Sequence, residues 1–448
     1  MTVPLSFIPE ISLSFGSLQD EKKLEVIIAS DYGGWNITCN RVLARHLSSN
    51  RALRVRAFVP KDHPRRAEIA ENVEILENEN LPGYSPIELL DYSHEELQHF
   101  DFLIMHCYGR DLEKQAEEIC RAKKCKWIPV VHRDWVELTR FFEVAGVSLA
   151  GRANNHHEER QRQIELCKNA DFVVTIGPKV AEPFLNALQP YGKDLNVVSI
   201  TPGIFSELHP DNRVTENQDT FNLLIVTDYP YLSSYFRVKG CDIAVKALLL
   251  LQDISYHLMV VMKSSYGVSE LTQTLLSEGM QQNQFTVKTT NGDDPVQMAQ
   301  FLNEADLLLL PSRVEGFGMS GIYAISAGLP VLISVYSGLG VALRKLPSGG
   351  KQVVDSDDPQ VWAQKIKEIR AKSRESTSLE TRQLREEYMQ KYSWEDQCNK
   401  LVDKMMMGNG RQSVFVVKYF LFLASFPFYT PLQKYLNQRF SLKSSATI

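Results

Sequence analysis

The sequence predicts an α/β protein of two doubly wound, Rossmann-like domains facing a central cleft. Three observations carry that expectation. Short apolar runs rich in Val and Ile alternate with helical patterns, the mark of parallel strands covered on both faces by crossover helices. The alternation stops at one polar stretch, ELHPDNRVTENQDT (Glu207–Thr220), and then begins again. A chain of 448 residues is long enough for two or three such units.

In the first series the strand candidates are LEVIIAS, VRAFVP, FDFLIMH, KWIPVVH, DFVVTIG and NVVSI, with NRVLARHL and ERQRQIELCKNA among the helices between them. The second series runs FNLLIVTD, YHLMVVMK, FTVKTT, ADLLLLPS and LPVLIS, without a sequence repeat of the first. Two long charged helices follow, PQVWAQKIKEIRAKSRE and LETRQLREEYMQKYSWEDQCNKLVDKM. The expected division is a first domain over 1–206, a linker over 207–220 and a second domain over 221–385. Helices returning to the first domain are expected over 386–410 and an apolar tail over 411–448.

The tail holds the one membrane-like run, Val414 to Tyr429. It falls short of the roughly 20 apolar residues of a spanning helix, and Lys418 and Pro427 interrupt it. It reads as a helix docked on protein, with an interfacial membrane anchor as the alternative. A net charge of -5 argues against a nucleic-acid partner, which calls for a basic face. Seven scattered cysteines read as free structural thiols, and Cys120 and Cys125 lack the second pair that a zinc site needs. With an N-terminal stretch lacking signal-peptide features, they predict a cytoplasmic protein. NNHHEER (Asn154–Arg160) reads as a solvated loop rather than a metal site.

In doubly wound sheets ligands bind beyond the carboxyl ends of the strands, so chemistry is sought there. One such end carries PSRVEGFGMSGIYAISAGLPVL (Pro311–Leu332), which places the carboxylate Glu315 between a buried strand and a helix. Gly316 and Gly318 allow close backbone approach, and a helix starting near Met319 and Ser320 offers free amides to a phosphate. A plain strand-to-helix turn capped by Ser320 is the competing reading. Gly33 and Gly34 follow the first strand, but without a dinucleotide or P-loop fingerprint. His132 ends KWIPVVH, and Arg237 and Lys239 stand before a helix, as cations suited to a diphosphate or as a solvated loop. Asp293 and Asp294 in TNGDDP read as a turn and helix cap, not a metal motif.

Together, and in this order, the Gly-Gly loop, His132, NADFVVTIGPKVAEPF, TPGIF, the Lys-Gly pair and EGFG with AGLPVL resemble the retaining GT-B glycosyltransferases of family 4. The resemblance runs from the first strand to about Met407 and is greatest to the divergent, conflict-type branch. It implies a nucleotide-diphosphate sugar as donor and co-substrate, an acceptor the sequence does not specify, no attached cofactor and often no metal. By position, Lys239 would contact the diphosphate, Glu315 the sugar hydroxyls, and the amides from Gly316 through Phe317, Gly318 and Met319 to Ser320 the sugar and phosphate. His132 would lie beside the sugar, and Gly33 and Gly34 would border the diphosphate or acceptor.

The chain departs from that family twice. Tyr323 stands eight residues after Glu315, where the family has a second glutamate that grips the ribose. A phenol offers one hydrogen bond in place of a charged two-oxygen grip. Restoring glutamate at that position is therefore expected to tighten nucleotide binding. Thr227 and Asp228 occupy the place of the family's Gly-Arg pair, with Arg237 as the nearest substitute. Two readings stay open: an active hexosyltransferase, and an inactive module that senses a nucleotide sugar or docks a partner. A dinucleotide-dependent oxidoreductase is disfavoured by the missing glycine fingerprint.

Overall fold

The computed structural model describes residues 23–408 apart from 31–37, 60–62, 65, 72, 77–98, 107–109, 145–152, 209–219, 228–232, 264–266 and 291–294. Gly33, Gly34, Asp228, Asp293, Asp294 and the Val414–Tyr429 run lie outside the described residues, as does most of the polar stretch between the two strand series.

The first series forms a seven-stranded parallel sheet of β1 (Leu24–Ala29), β2 (Leu53–Phe58), β3 (Glu74–Leu76), β4 (Phe102–His106), β5 (Lys126–Val131), β6 (Val173–Ile176) and β7 (Val197–Ile200). Its strand order is β3-β2-β1-β4-β5-β6-β7. The second series builds a six-stranded parallel sheet of β8 (Phe221–Thr227), β9 (Tyr256–Met262), β10 (Phe285–Thr289), β11 (Leu307–Leu310), β12 (Val331–Ser334) and β13 (Val353–Val354). Its order, β10-β9-β8-β11-β12-β13, repeats the same winding. Each sheet reverses direction beside its first strand, between β1 and β4 and between β8 and β11, and such reversals open a crevice at the strands' carboxyl ends.

The central strands are mostly apolar because both faces of each sheet are covered. Along β11, Leu308 and Leu310 enter one core cluster and Leu307 and Leu309 another, as side chains alternating across a sheet must. β1 divides in the same way, with Val26 and Ile28 on one face and Ile27 and Ala29 on the other. The largest cluster joins the two domains: it includes Phe205 after β7, Tyr323 beyond β11 and Trp394 and Leu401 near the end of the described chain.

β3 and β13, of three and two residues, were not legible as strands. Each is the edge of its sheet, with a single strand partner and no long buried run to announce it. The segment read as a solvated loop from Asn154 is instead the start of a helix, Ala153–Asn169. The two long charged helices are three: Pro359–Arg370, Arg374–Lys391 and Trp394–Gly408. Ser373 begins the second, its hydroxyl accepting from the Ser376 amide, and Ser393 begins the third in the same manner with Asp396. That last break directs Trp394–Gly408 onto the first sheet's side, where Gln397 accepts from the Thr201 amide at 3.1 Å and Lys404 donates to the Leu195 carbonyl at 2.8 Å. Among the described residues no helix is long and apolar enough to cross a membrane.

Candidate functional site

The loop after β11 is held by the turn that carries Lys239. Gly240 has φ +67°, and a Cβ there would sit 2.0 Å from the Pro311 carbonyl oxygen, so only glycine lets this turn lie on the loop. Arg313 fastens the contact. Its amide donates to the Val238 carbonyl at 2.9 Å, and its guanidinium forks onto buried Asp242 at 2.6 and 2.9 Å. Lys239 thereby reaches Glu315, Nζ to Oε2 at 2.8 Å, and the Ser312 hydroxyl donates to the same oxygen at 3.2 Å. Both charged side chains are largely shielded, at 18% and 15% exposure.

The first domain closes the site from the other side. His132 follows β5 directly, and its carbonyl is so near the loop that a Cβ on Gly316 would lie 2.5 Å from it. Lys179, on the helix Pro178–Leu188, pairs with Glu137 at 2.6 Å and donates across the cleft to the carbonyls of Glu315, at 3.1 Å, and Tyr336. Between the sheets lies a cavity of about 540 Å³. Its lining gathers His132, Lys239, Glu315 and the run from Gly316 to Ser320, which opens the helix Met319–Ser326.

Two residues named from the sequence lie elsewhere. Arg237 is exposed on the helix Ser233–Val238 and offers the loop its main-chain carbonyl, to Arg313 at 2.7 Å. Its guanidinium is not part of the cavity wall. Tyr323 is 4% exposed and packs edge-on against Phe205, ring centroids 4.9 Å apart, inside the core cluster that joins the domains. It does not line the cavity. A glutamate at this position would enter apolar surroundings, so the expected gain in nucleotide binding is replaced by a cost in stability.

The electrostatics keep the histidines of the site neutral. Burial, and then the adjacent Arg133, push the His132 imidazole down to about 3. His106, wholly buried at the end of β4, is held well below the ordinary histidine range by burial and by His132. Burial raises the Glu137 carboxyl, while Lys179 pulls it back.

Sequence reasoning missed Lys179 and Lys263, two further cations on the cavity wall. Lys263 follows β9 directly and its amide donates to the Thr227 carbonyl at 3.2 Å, so its place at a strand's carboxyl end was the available signal. Lys179 lay within a quoted motif, but a lone lysine in the first turn of a helix carries no spacing that separates a site residue from a solvated one.

Two Rossmann-like domains meeting over such a cavity define the GT-B class. Solved structures of similar fold include a glycosyltransferase from Rickettsia africae, at TM-score 0.60 and 13% identity over 86% of this chain and 99% of that one. HepE of Anabaena in complex with UDP-glucose gives TM-score 0.60 and 14% identity over 84% and 99%. The sucrose-phosphate synthase of Thermosynechococcus elongatus gives 0.61 and 17% over 90% and 100%.

Within that class the chain belongs to the family 4 glycosyltransferases of conflict systems, whose family model matches residues 28–401. Curated relatives include the D-inositol 3-phosphate glycosyltransferase of Jonesia denitrificans, 31% identical over 134 residues, 28% of this chain and 30% of that protein. The Corynebacterium urealyticum protein of the same name is 28% identical over 109 residues, 24% of this chain and 25% of its own length. The matched stretches span about a quarter to a third of these relatives.

Proposed function

We propose that this protein transfers a hexose, with retention of anomeric configuration, from a nucleotide-diphosphate sugar bound in the cleft to an acceptor held on the first-domain side. The carrying observation is the Lys239–Glu315 pair at 2.8 Å, set on the cavity wall beside the amide-rich start of the Met319–Ser326 helix. Each member of the pair neutralises the other in the free protein. A donor carries both partners they need: a diphosphate for Lys239 and sugar hydroxyls for Glu315. As the sugar–phosphate bond breaks, charge grows on the leaving diphosphate, where Lys239 and the helix amides stabilise it. His132, neutral at physiological pH, contributes a hydrogen-bonding imidazole beside the sugar from the opposite domain. The nucleotide sugar is the co-substrate, and the proposal requires no further cofactor.

A second reading, an inactive module that senses a nucleotide sugar or docks a partner, is favoured by one observation: Tyr323 is a core residue where the family's ribose carboxylate would stand. Calorimetric titration with UDP-glucose, GDP-mannose and the free diphosphates, followed by assay of nucleotide release, separates the readings. UDP-glucose is the first probe because a protein of similar fold is solved with it. Lys239→Ala is expected to weaken donor and free diphosphate alike by roughly ten- to a hundredfold, the loss of one charge-assisted contact. Glu315→Ala should weaken the donor and spare the free diphosphate. Donor binding that is equal in wild type and both variants would overturn this donor site. Binding without turnover selects the module.

A further inference from the structure

We propose that His106 is a positioning residue for the cleft: it holds His132 in a single tautomer and a single ring orientation. The inference deepens the donor-site reading and rests on it for its catalytic meaning, whereas the positioning itself is a property of the free protein. Parallel pairing of β4 with β5 sets His106 opposite Val130. His132 is two residues beyond Val130, so both imidazoles project from the same face of the first sheet. Their rings lie 5.5 Å apart between centroids, tilted by 39°, with His106 Nδ1 and His132 Nε2 separated by 3.3 Å. His106 is 0% exposed, while His132 lines the cavity.

Chemistry then constrains the pair. A neutral imidazole carries one N–H and one lone pair, so a hydrogen bond between two neutral rings needs a proton on one of the two facing nitrogens and not on the other. Because His106 Nδ1 faces His132 Nε2, the two tautomers are coupled: a proton on His106 Nδ1 puts the N–H of His132 at Nδ1, and a proton on His132 Nε2 leaves its Nδ1 an acceptor. A wholly buried ring in a strand is fixed by packing on all sides, which makes it a firm reference for the partner beside the cavity. Partners that orient a functional imidazole through its second nitrogen act in this way at metal sites.

The test uses the full chain with 15N-labelled histidine. Long-range 1H–15N spectra of the wild type should show His132 as one tautomer, assigned by comparison with His132→Asn. His106→Phe keeps a planar aromatic ring and β propensity but removes both ring nitrogens. It should shift His132 to a mixture of tautomers, while His106→Asn, whose amide reaches the position of Nδ1, should restore a single one. Turnover of a donor that the wild type accepts should fall on the order of 10–100-fold in His106→Phe with donor affinity within a few-fold, and recover partly in His106→Asn. An unchanged His132 spectrum in both variants overturns the proposal, as does a wild type already showing mixed tautomers. If the tautomer shifts as expected but no donor binds or reacts, the positioning stands and the glycosyltransferase reading fails.

Discussion

The two turns of the helix Met319–Ser326 face different fates. Its first turn, Met319 and Ser320, lies on the cavity wall beside Lys239 and Glu315; its second turn carries Tyr323 into the core against Phe205. One short element thus serves binding at its start and interdomain packing three residues later. The difference shows that motif position and side-chain environment are separable. A carboxylate that would look into the cleft and an aromatic that seals the domains together can occupy the same place in sequence with opposite consequences.

The sharpest way to break that contrast is Tyr323→Glu. A carboxylate placed against Phe205 loses the ring's packing and meets no water, so an expected loss of about 3–5 kcal/mol follows from the core truncation alone. Urea denaturation measures it. A variant as stable as the wild type, or one that binds nucleotide more tightly, would show that the residue turns towards the cleft.

Acid should act on the site side through its two histidines. His106 and His132 have folded-state values depressed below the unfolded value near 6.5, so the unfolded chain takes up protons that the folded chain refuses. Their contribution to stability is complete above that value and declines as pH falls below it, by up to about 1.4 kcal/mol per pH unit for each ring. His106→Phe should flatten the decline in denaturation series between pH 7 and 5. An identical slope in that variant would mean that His106 is protonated in the fold.

The smallest effect tests the charge pair itself. Lys239→Ala removes the cation facing the Glu315 carboxylate and should cost about 1–3 kcal/mol of stability, whereas the double change Lys239→Ala with Glu315→Ala should cost less than the sum of the two. Strict additivity in the thermal or urea cycle would mean that the pair is not formed in solution.

How far the sequence could be read follows from these same residues. Runs such as LEVIIA and LLLL were legible because burial on both faces leaves no alternative composition, while β3 and β13 were too short and marginal to show. His132, Lys239 and Glu315 could be singled out because each stands at a strand's carboxyl end or beside a glycine that marks close approach. Tyr323 could not be placed, since its orientation depends on Phe205, more than a hundred residues earlier in the chain. His106 was hidden for a related reason: it ends a predicted strand, but only the register of β4 with β5 sets it against His132.

Lys179 grips the second domain through the main-chain oxygens of Glu315 and Tyr336, not through their side chains. A clasp of that kind is blind to heredity at the positions it holds. Glu315 could drift to any residue that keeps the loop's course, and the two halves would still be drawn together by the same lysine. The clamshell can therefore outlast the chemistry it was built around, because the contact that joins its halves asks nothing of the side chains it holds.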